Sequence, residues 1–239
     1  MSPEVRRAAE ALKRGALVGF PTETVYGLGA DASSREAVAR LYAAKRRPVD
    51  HPVIVHFADA KQAFEWAREV PEGARKLAEK FWPGPLTLVL KRSGKAGDFV
   101  TGGQDTIGVR VPAHPVAQEL LQAFGGGIAA PSANRFGQLS ATTAAHVRED
   151  LGKEVELVLD GGPSEVGIES TIVDLSGEGA VLLRPGRISR LALEQVLGAL
   201  VQEKRADAPR HSGGRERHYA PRTPARLVPP HELDREIAR

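Results

Sequence analysis

Apolar positions recur at helical spacing at Val5, Ala8, Ala9 and Leu12 behind Ser2-Pro3-Glu4, a cap, a first-turn proline and a first-turn acid, so a helix is predicted up to Gly15. The apolar run 16–20 then predicts a short buried strand. A second helix begins at Ser33/Ser34, with Ala37, Val38, Leu41 and Tyr42 on one face. Further on the pattern predicts a strand over 53–57, helices over 61–69 and 72–82, and a strand over 86–90. A glycine-rich stretch over 94–104 reads as a mobile surface loop. A strand over 106–112 follows, then a helix over 114–124, a strand ending near 130, a helix running to 150 and a strand over 155–160. Strands near 171–174 and 181–184 come next, and a last helix from the Ser189 cap through about 203.

Alternating strands and helices predict an α/β layered domain, and strands that follow one another without a helix make its sheet mixed. The domain takes in residues 1–203. Residues 204–224 read as a basic linker and 225–239 as a remnant or start of a C-terminal domain. At 239 residues and 41% hydrophobic content the chain can bury a sizeable core. It has no cysteine, which excludes a disulfide framework, thiolate metal sites and a cysteine nucleophile. Its seven histidines show no ligand spacing, and no apolar stretch approaches a membrane span. A soluble, cytoplasmic protein without membrane partners is expected. The net charge of +3 is uneven: residues 204–226 carry seven bases against two acids, a net +5 in the tail, which suits either a solvated linker or contact with an anion.

Several polar residues interrupt the pattern at strand ends. Residues 20–32 follow an apolar run with hydroxyls (Thr22, Thr24, Tyr26), Glu23 and two glycines, which reads either as a capped strand end or as a binding loop. Lys45, Arg46 and Arg47, with Pro48 and Pro52 on either side of Asp50-His51, form a rigid basic corner at a helix end, where a plain complement to the helix dipole is the alternative. His56 alternates with apolar strand residues, as a core histidine does. Arg110 sits among valines and needs a carboxylate or phosphate partner, with a ligand favoured over a structural acid. Small residues lead to Ser132 and Asn134, Ser140 stands next to a helix cap, Glu169 and Ser170 enter a strand, and Arg184 closes one.

Strand ends are where open α/β sheets bind ligands. A lysine and several arginines beside hydroxyls, with no nucleophile and base pair, suit an anionic substrate handled by alignment and charge stabilisation. That describes phosphoryl or nucleotidyl transfer. No P-loop and no Gly-x-Gly-x-x-Gly turn is present, so arginines and backbone amides must hold any ATP, and Mg2+ would be held largely by the phosphates.

Residues 5–200 resemble the YrdC-like threonylcarbamoyl-AMP synthases. The shared motifs are Pro21-Thr22-Glu23-Thr24-Val25-Tyr26-Gly27-Leu28, Lys45-Arg46-Arg47-Pro48, Trp82-Pro83-Gly84-Pro85, Gly108-Val109-Arg110-Val111-Pro112, Pro131-Ser132-Ala133-Asn134 and Glu169-Ser170-Thr171-Ile172. The resemblance implies a YrdC-like (DHBP-synthase-like) fold, a twisted mixed sheet flanked by helices around an open concave cavity. It implies a nucleotidyltransferase that makes threonylcarbamoyl-adenylate and pyrophosphate from L-threonine, bicarbonate and ATP, toward N6-threonylcarbamoyladenosine in tRNA. Thr24, His56, Arg110, Ala130 and Ser170 would then surround threonine. Arg47, His51, Thr106, Ser132, Asn134, Ser140, Arg184 and Tyr219 would hold ATP. Lys45, Arg47 and Arg110 would be the catalytic cations, Mg2+ would come with ATP, and tRNA or the downstream transferase complex would be a further partner.

The sequence departs from the family in places. His51 stands where asparagine is common. Arg217-His218-Tyr219-Ala220-Pro221 matches the end of the linker motif of the long members, but the stretch before it has drifted. Residues 222–239 are too few for a complete second domain. A competing reading is an RNA-binding or ribosome-associated module that uses the same basic concavity, for which 5% aromatic content offers few stacking platforms. The carbamoyl-transferring hydrogenase-maturation proteins would need cysteine-based zinc sites, which this chain lacks.

Overall fold

Hydroxyl and carboxylate caps set where five of the described helices begin. The computed structural model describes residues 1–203, 208–214, 220, 221, 223 and 225–237. The chain runs α1 (Pro3–Lys13), β1 (Val18–Phe20), β2 (Gly27–Asp31), α2 (Arg35–Lys45), β3 (Val55–His56), α3 (Ala60–Phe64), α4 (Glu72–Phe81), β4 (Leu86–Lys91) and α5 (Asp98–Thr101). It continues through β5 (Thr106–Arg110), α6 (Pro115–Phe124), β6 (Ile128–Ala129), α7 (Ala144–Leu151), β7 (Leu157–Val158), β8 (Thr171–Asp174), β9 (Ala180–Arg184), α8 (Arg190–Leu197), β10 (Val201–Glu203) and α9 (Leu233–Ile237). The side chains of Ser2, Ser34, Asp59, Thr143 and Ser189 each accept from a backbone N–H of the first helical turn, an arrangement worth about 1 kcal/mol per helix.

The described strands form one mixed sheet in the order β10-β9-β8-β4-β5-β3-β6-β2-β1-β7. Parallel pairs (β10 with β9, β8 with β4, β5 with β3, β1 with β7) are joined by antiparallel ones. The largest apolar cluster gathers Leu86, Leu88, Leu90, Ile107, Val109 and Val173 from the sheet with Leu41 of α2, Leu77 of α4 and Leu193 of α8. Helices α1 and α6 cover the β1, β6 region in a second cluster, where Val5, Leu12, Leu120 and Leu121 pack on Val18, Phe20 and Ile128. A small third cluster, Ile54, Val89, Ile172, Val181 and Leu183, is overlaid by Ala208. The strand ends between the second and third clusters carry the polar residues.

Several expectations change, among them the helix over 61–69, which ends at Phe64. The stretch 20–32 is a loop only as far as Tyr26, because Gly27–Asp31 pairs antiparallel with β1 as β2. Its glycines are packing positions: a Cβ on Gly29 would lie 3.0 Å from both the Phe20 ring and Ile128. The stretch 94–104 contains the short α5, pinned by buried Val100 and Thr101. The helix from Ser189 stops at Leu197, where Gly198 takes the left-handed conformation at φ 65° and donates to the Glu194 carbonyl. The chain then adds β10 to the sheet edge, where Val201 is buried and Gln202 and Glu203 are exposed.

Candidate functional site

Thr22 shapes the loop after β1: its Oγ1 donates to the Val25 carbonyl at 2.6 Å and lies 2.9 Å from Thr24 Oγ1. The turn aims Glu23 and Thr24 at Arg110, the last residue of β5. Arg110 Nη2 donates to Glu23 Oε1 at 2.6 Å and to Thr24 Oγ1 at 3.0 Å, while Glu23 Oε2 accepts from the Ala113 N–H at 3.0 Å. The partner that a mid-strand arginine requires is therefore an internal acid, although a ligand was favoured from sequence; the guanidinium also lines a cleft. Both side chains of the pair are more than 90% buried.

His56 is paired with Arg110 across the parallel β3, β5 register and packs edge-on against Phe20. Desolvation first, and the Arg110 charge second, lower its pKa to about 3, so the ring is neutral at physiological pH. Its Nδ1 has no hydrogen-bond partner among the described residues.

At the start of β8, Ser170 Oγ lies 2.8 Å from Thr87 Oγ1. Arg184, the last residue of β9, grips Ser170 through Nε to its carbonyl at 3.0 Å and through Nη2 to its hydroxyl at 3.1 Å. Arg184 Nη1 donates to the Ser212 carbonyl at 3.1 Å. Arg47 Nη2 donates to the Pro52 carbonyl at 2.7 Å and to Ser212 Oγ at 3.3 Å, and its guanidinium lies over the Phe136 ring. The 211–213 stretch of the linker thus lies against both arginines.

Lys45, at the end of α2, is fully buried and donates to the carbonyls of Ser132 and Asn134. Burial, and then the Arg47 charge, push its ammonium pKa well below the ordinary value. Here the lysine fastens the 132–134 loop to α2. Asn134 donates to the Arg135 and Gln138 carbonyls, and its Oδ1 has no partner among the described residues.

Two cavities result. A cleft of about 40 Å³ is lined by Thr24, His56, Arg110, Ala130 and Ser170, together with Arg47 and Ser132. A cavity of about 1140 Å³ is lined by Ser140 and by His211, Gly214, Ala220 and Thr223 of the C-terminal segment. Glu169, Arg184 and Gly213 belong to both. Ser140 donates to Glu169 Oε1, a different contact from the helix cap, which Thr143 supplies.

All five residues expected around threonine meet in the cleft. Of those expected around ATP, Arg47, Ser132, Ser140 and Arg184 line one cavity or the other. Lys45, His51 and Asn134 stand behind the wall: His51 packs edge-on against Phe136, and its carbonyl accepts from Tyr42 Oη at 2.5 Å. Thr106 lies across Ser212 in a separate small recess. Tyr219 lies outside the described residues. Sequence reading gave no role to Glu23 or Glu169; the signal for Glu23 was a carboxylate at the end of a buried strand, in a chain whose Arg110 needed one. Among the described residues no cluster of His, Asp and Glu suits a metal ion, and no helix is long and apolar enough to cross a membrane.

A family model described as telomere recombination (Sua5/YciO/YrdC) matches residues 10–186. A second, described as the threonylcarbamoyl-AMP synthase C-terminal domain, matches residues 188–238, the stretch from α8 through the segments read as linker and remnant. A threonylcarbamoyl-AMP synthase of Pyrococcus abyssi is 47% identical over 223 residues, covering 91% of this chain and 66% of that protein. One of Bacillus subtilis is 43% identical over 227 residues, covering 93% and 66%. A crystal structure of P. abyssi Sua5 complexed with L-threonine superposes with a TM-score of 0.90 at 44% identity, covering 98% of this chain and 71% of that one. The chain thus spans 66% of the length of these two curated relatives. The mixed sheet, the motif-bearing strand ends and these matches together show that the chain belongs to the Sua5/YciO/YrdC family.

Proposed function

We propose that this protein is an L-threonylcarbamoyladenylate synthase, condensing L-threonine, bicarbonate and ATP to threonylcarbamoyl-AMP and pyrophosphate. One observation carries the reading: a small cleft floored by Arg110 and a cavity of about 1140 Å³ share Arg184 and Glu169 as a common wall. The small cleft offers a guanidinium for a carboxylate, a hydroxyl at Thr24, and the neutral His56. The large cavity has room for a nucleotide, with Arg184 shared between it and the cleft and Arg47 on the cleft wall.

In this reading Thr24, His56, Arg110, Ala130 and Ser170 hold threonine. The carbamate oxygen attacks the α-phosphorus, and Arg47 and Arg184 neutralise the charge as pyrophosphate leaves. The ATP-holding set comprises Arg47, His51, Thr106, Ser132, Asn134, Ser140, Arg184 and Tyr219, with Lys45, His51 and Asn134 acting through the loops they fasten. Mg2+ enters with ATP and supplies further charge neutralisation. The lining arginines pair with phosphate and repel a bare cation, so phosphate oxygens are its natural ligands. The reading includes a cytoplasmic location and delivery of the product toward tRNA or a transferase complex.

The test mixes protein, bicarbonate and labelled ATP with and without L-threonine. Threonine-dependent pyrophosphate release and a threonylcarbamoyl-AMP mass are expected. No threonine-dependent release at high protein concentration, alongside tight salt-sensitive RNA binding, would sink the enzyme reading.

A further inference from the structure

Glu169 is the carboxylate among the residues that line the smaller cleft, and it stands where that cleft meets the large cavity. The other ionisable groups of the cleft are Arg47, Arg110, Arg184, His56 and Tyr26. Apart from the weakly basic His56, none of these is a proton acceptor near neutral pH. Guanidinium groups keep their protons. His56 titrates at about 3, and burial pushes the Tyr26 phenol above its ordinary value, so it is already protonated. Glu23 is close by, but Arg110 and the Ala113 N–H occupy its two oxygens. Glu169 has Oε1 engaged by Ser140, and Oε2 has no hydrogen bond among the described residues.

Its position is held from behind. The turn after β9 passes so close that a Cβ on Gly186 would lie 2.7 Å from the Glu169 carbonyl. The next residue, Ser170, is gripped by Arg184. The charged and titratable groups lining the two cavities with Glu169 are Tyr26, Arg47, His56, Arg110 and Arg184 in the cleft and His146, Glu149, Asp150, Arg184 and His211 in the large cavity, and the buried Lys45 interacts with its charge.

We propose that Glu169 is the general base that deprotonates the substrate amino group so that it can take up bicarbonate; this rests on the activity proposed above. Threonine arrives as an ammonium ion and cannot attack carbon until it loses a proton. Glu169 accepts that proton. The nitrogen lone pair then forms the N–C bond to bicarbonate carbon, and the departing hydroxide takes the second N–H proton and leaves as water. The product is the carbamate anion, and Glu169 returns its proton to solvent before the next turnover. No oxidant or reductant is required.

Glu169→Gln keeps the shape of the side chain and an acceptor for Ser140. Threonine-dependent pyrophosphate release is expected to fall roughly 10²- to 10⁴-fold, the usual range for loss of a general base. Formation of ATP from supplied threonylcarbamoyl-AMP and pyrophosphate starts with the carbamate already made, and should stay within about threefold of wild type. An unchanged forward rate or an equal loss in both directions would overturn the assignment. A wild-type protein inactive in both directions would overturn the activity itself, a distinct result.

Discussion

Replacing Arg110 by alanine would remove the guanidinium that floors the small cleft and leave the buried Glu23 carboxylate without its cation. Breaking such a pair from one side costs about 3–5 kcal/mol. We therefore expect Arg110→Ala to lose threonine binding and also to unfold at a markedly lower temperature. The double variant Arg110→Gln with Glu23→Gln removes both charges and should regain most of the melting temperature without regaining threonine binding. Calorimetric titration and thermal melts separate the two effects, and restored binding in the double variant would remove Arg110 from the site. His56 gives a pH signature. Its folded pKa of about 3 lies below the unfolded value, so between these pH values the unfolded chain binds a proton that the fold refuses. Stability from this group is complete above about pH 6.5 and declines as pH falls toward 3, by about 2 kcal/mol at pH 5. Urea midpoints at pH 8 and pH 5 should differ less in His56→Gln than in wild type; an equal difference would contradict the buried neutral ring.

At the scale of elements, the site depends on how closely two turns meet. A Cβ on Gly186 would sit 2.5 Å from the Thr171 N–H nitrogen and 2.8 Å from Thr171 Oγ1. Gly186→Ala should force the turn after β9 away from the start of β8, at a cost of about 1–3 kcal/mol for overpacking. Because Glu169 and Ser170 lead directly into β8, threonine-dependent turnover should fall together with the melting temperature. Normal turnover at full stability would show that the turn is slack. Lys45 does comparable work between α2 and the 132–134 loop, where a flexible basic side chain becomes a two-carbonyl clamp. Helix starts were legible from their caps because that information is local. The strands Gly27–Asp31 and Val201–Glu203 were not, since a glycine-rich or half-polar triplet becomes a strand only when a neighbour supplies its hydrogen bonds.

For the whole molecule, the described residues of the C-terminal segment are tied to the body of the domain at Arg210 and Ala220. Gln104 and Arg210 exchange hydrogen bonds at 2.7 and 3.0 Å, Arg210 also donates to the Gly102 carbonyl, and Ala220 N–H donates to the Gly137 carbonyl. The three apolar clusters draw their buried members from residues up to Val201, so a chain ending at residue 203 should remain folded. It would lose His211, Gly213, Gly214, Ala220, Pro221 and Thr223 from the large cavity. We expect nucleotide affinity to weaken at least about tenfold, near 1.4 kcal/mol, with a smaller change for threonine. Equal affinities for ATP in the two chains would show that the segment contributes nothing to that cavity.

What the sequence determined alone was most of the helices, the α/β class and the polar strand ends, because caps, periodicity and residue chemistry act within a few residues of one another. Thr24, His56, Arg110, Ala130 and Ser170 could be singled out one at a time on motif grounds. Only the folded chain decided that Glu23 lies against Arg110, 87 residues away, and that Ser140 reaches Glu169 and Ser212 reaches Arg184. Burial supplied the rest: a histidine and a lysine whose charges water would support are pushed toward their neutral forms once the sheet and helices close around them.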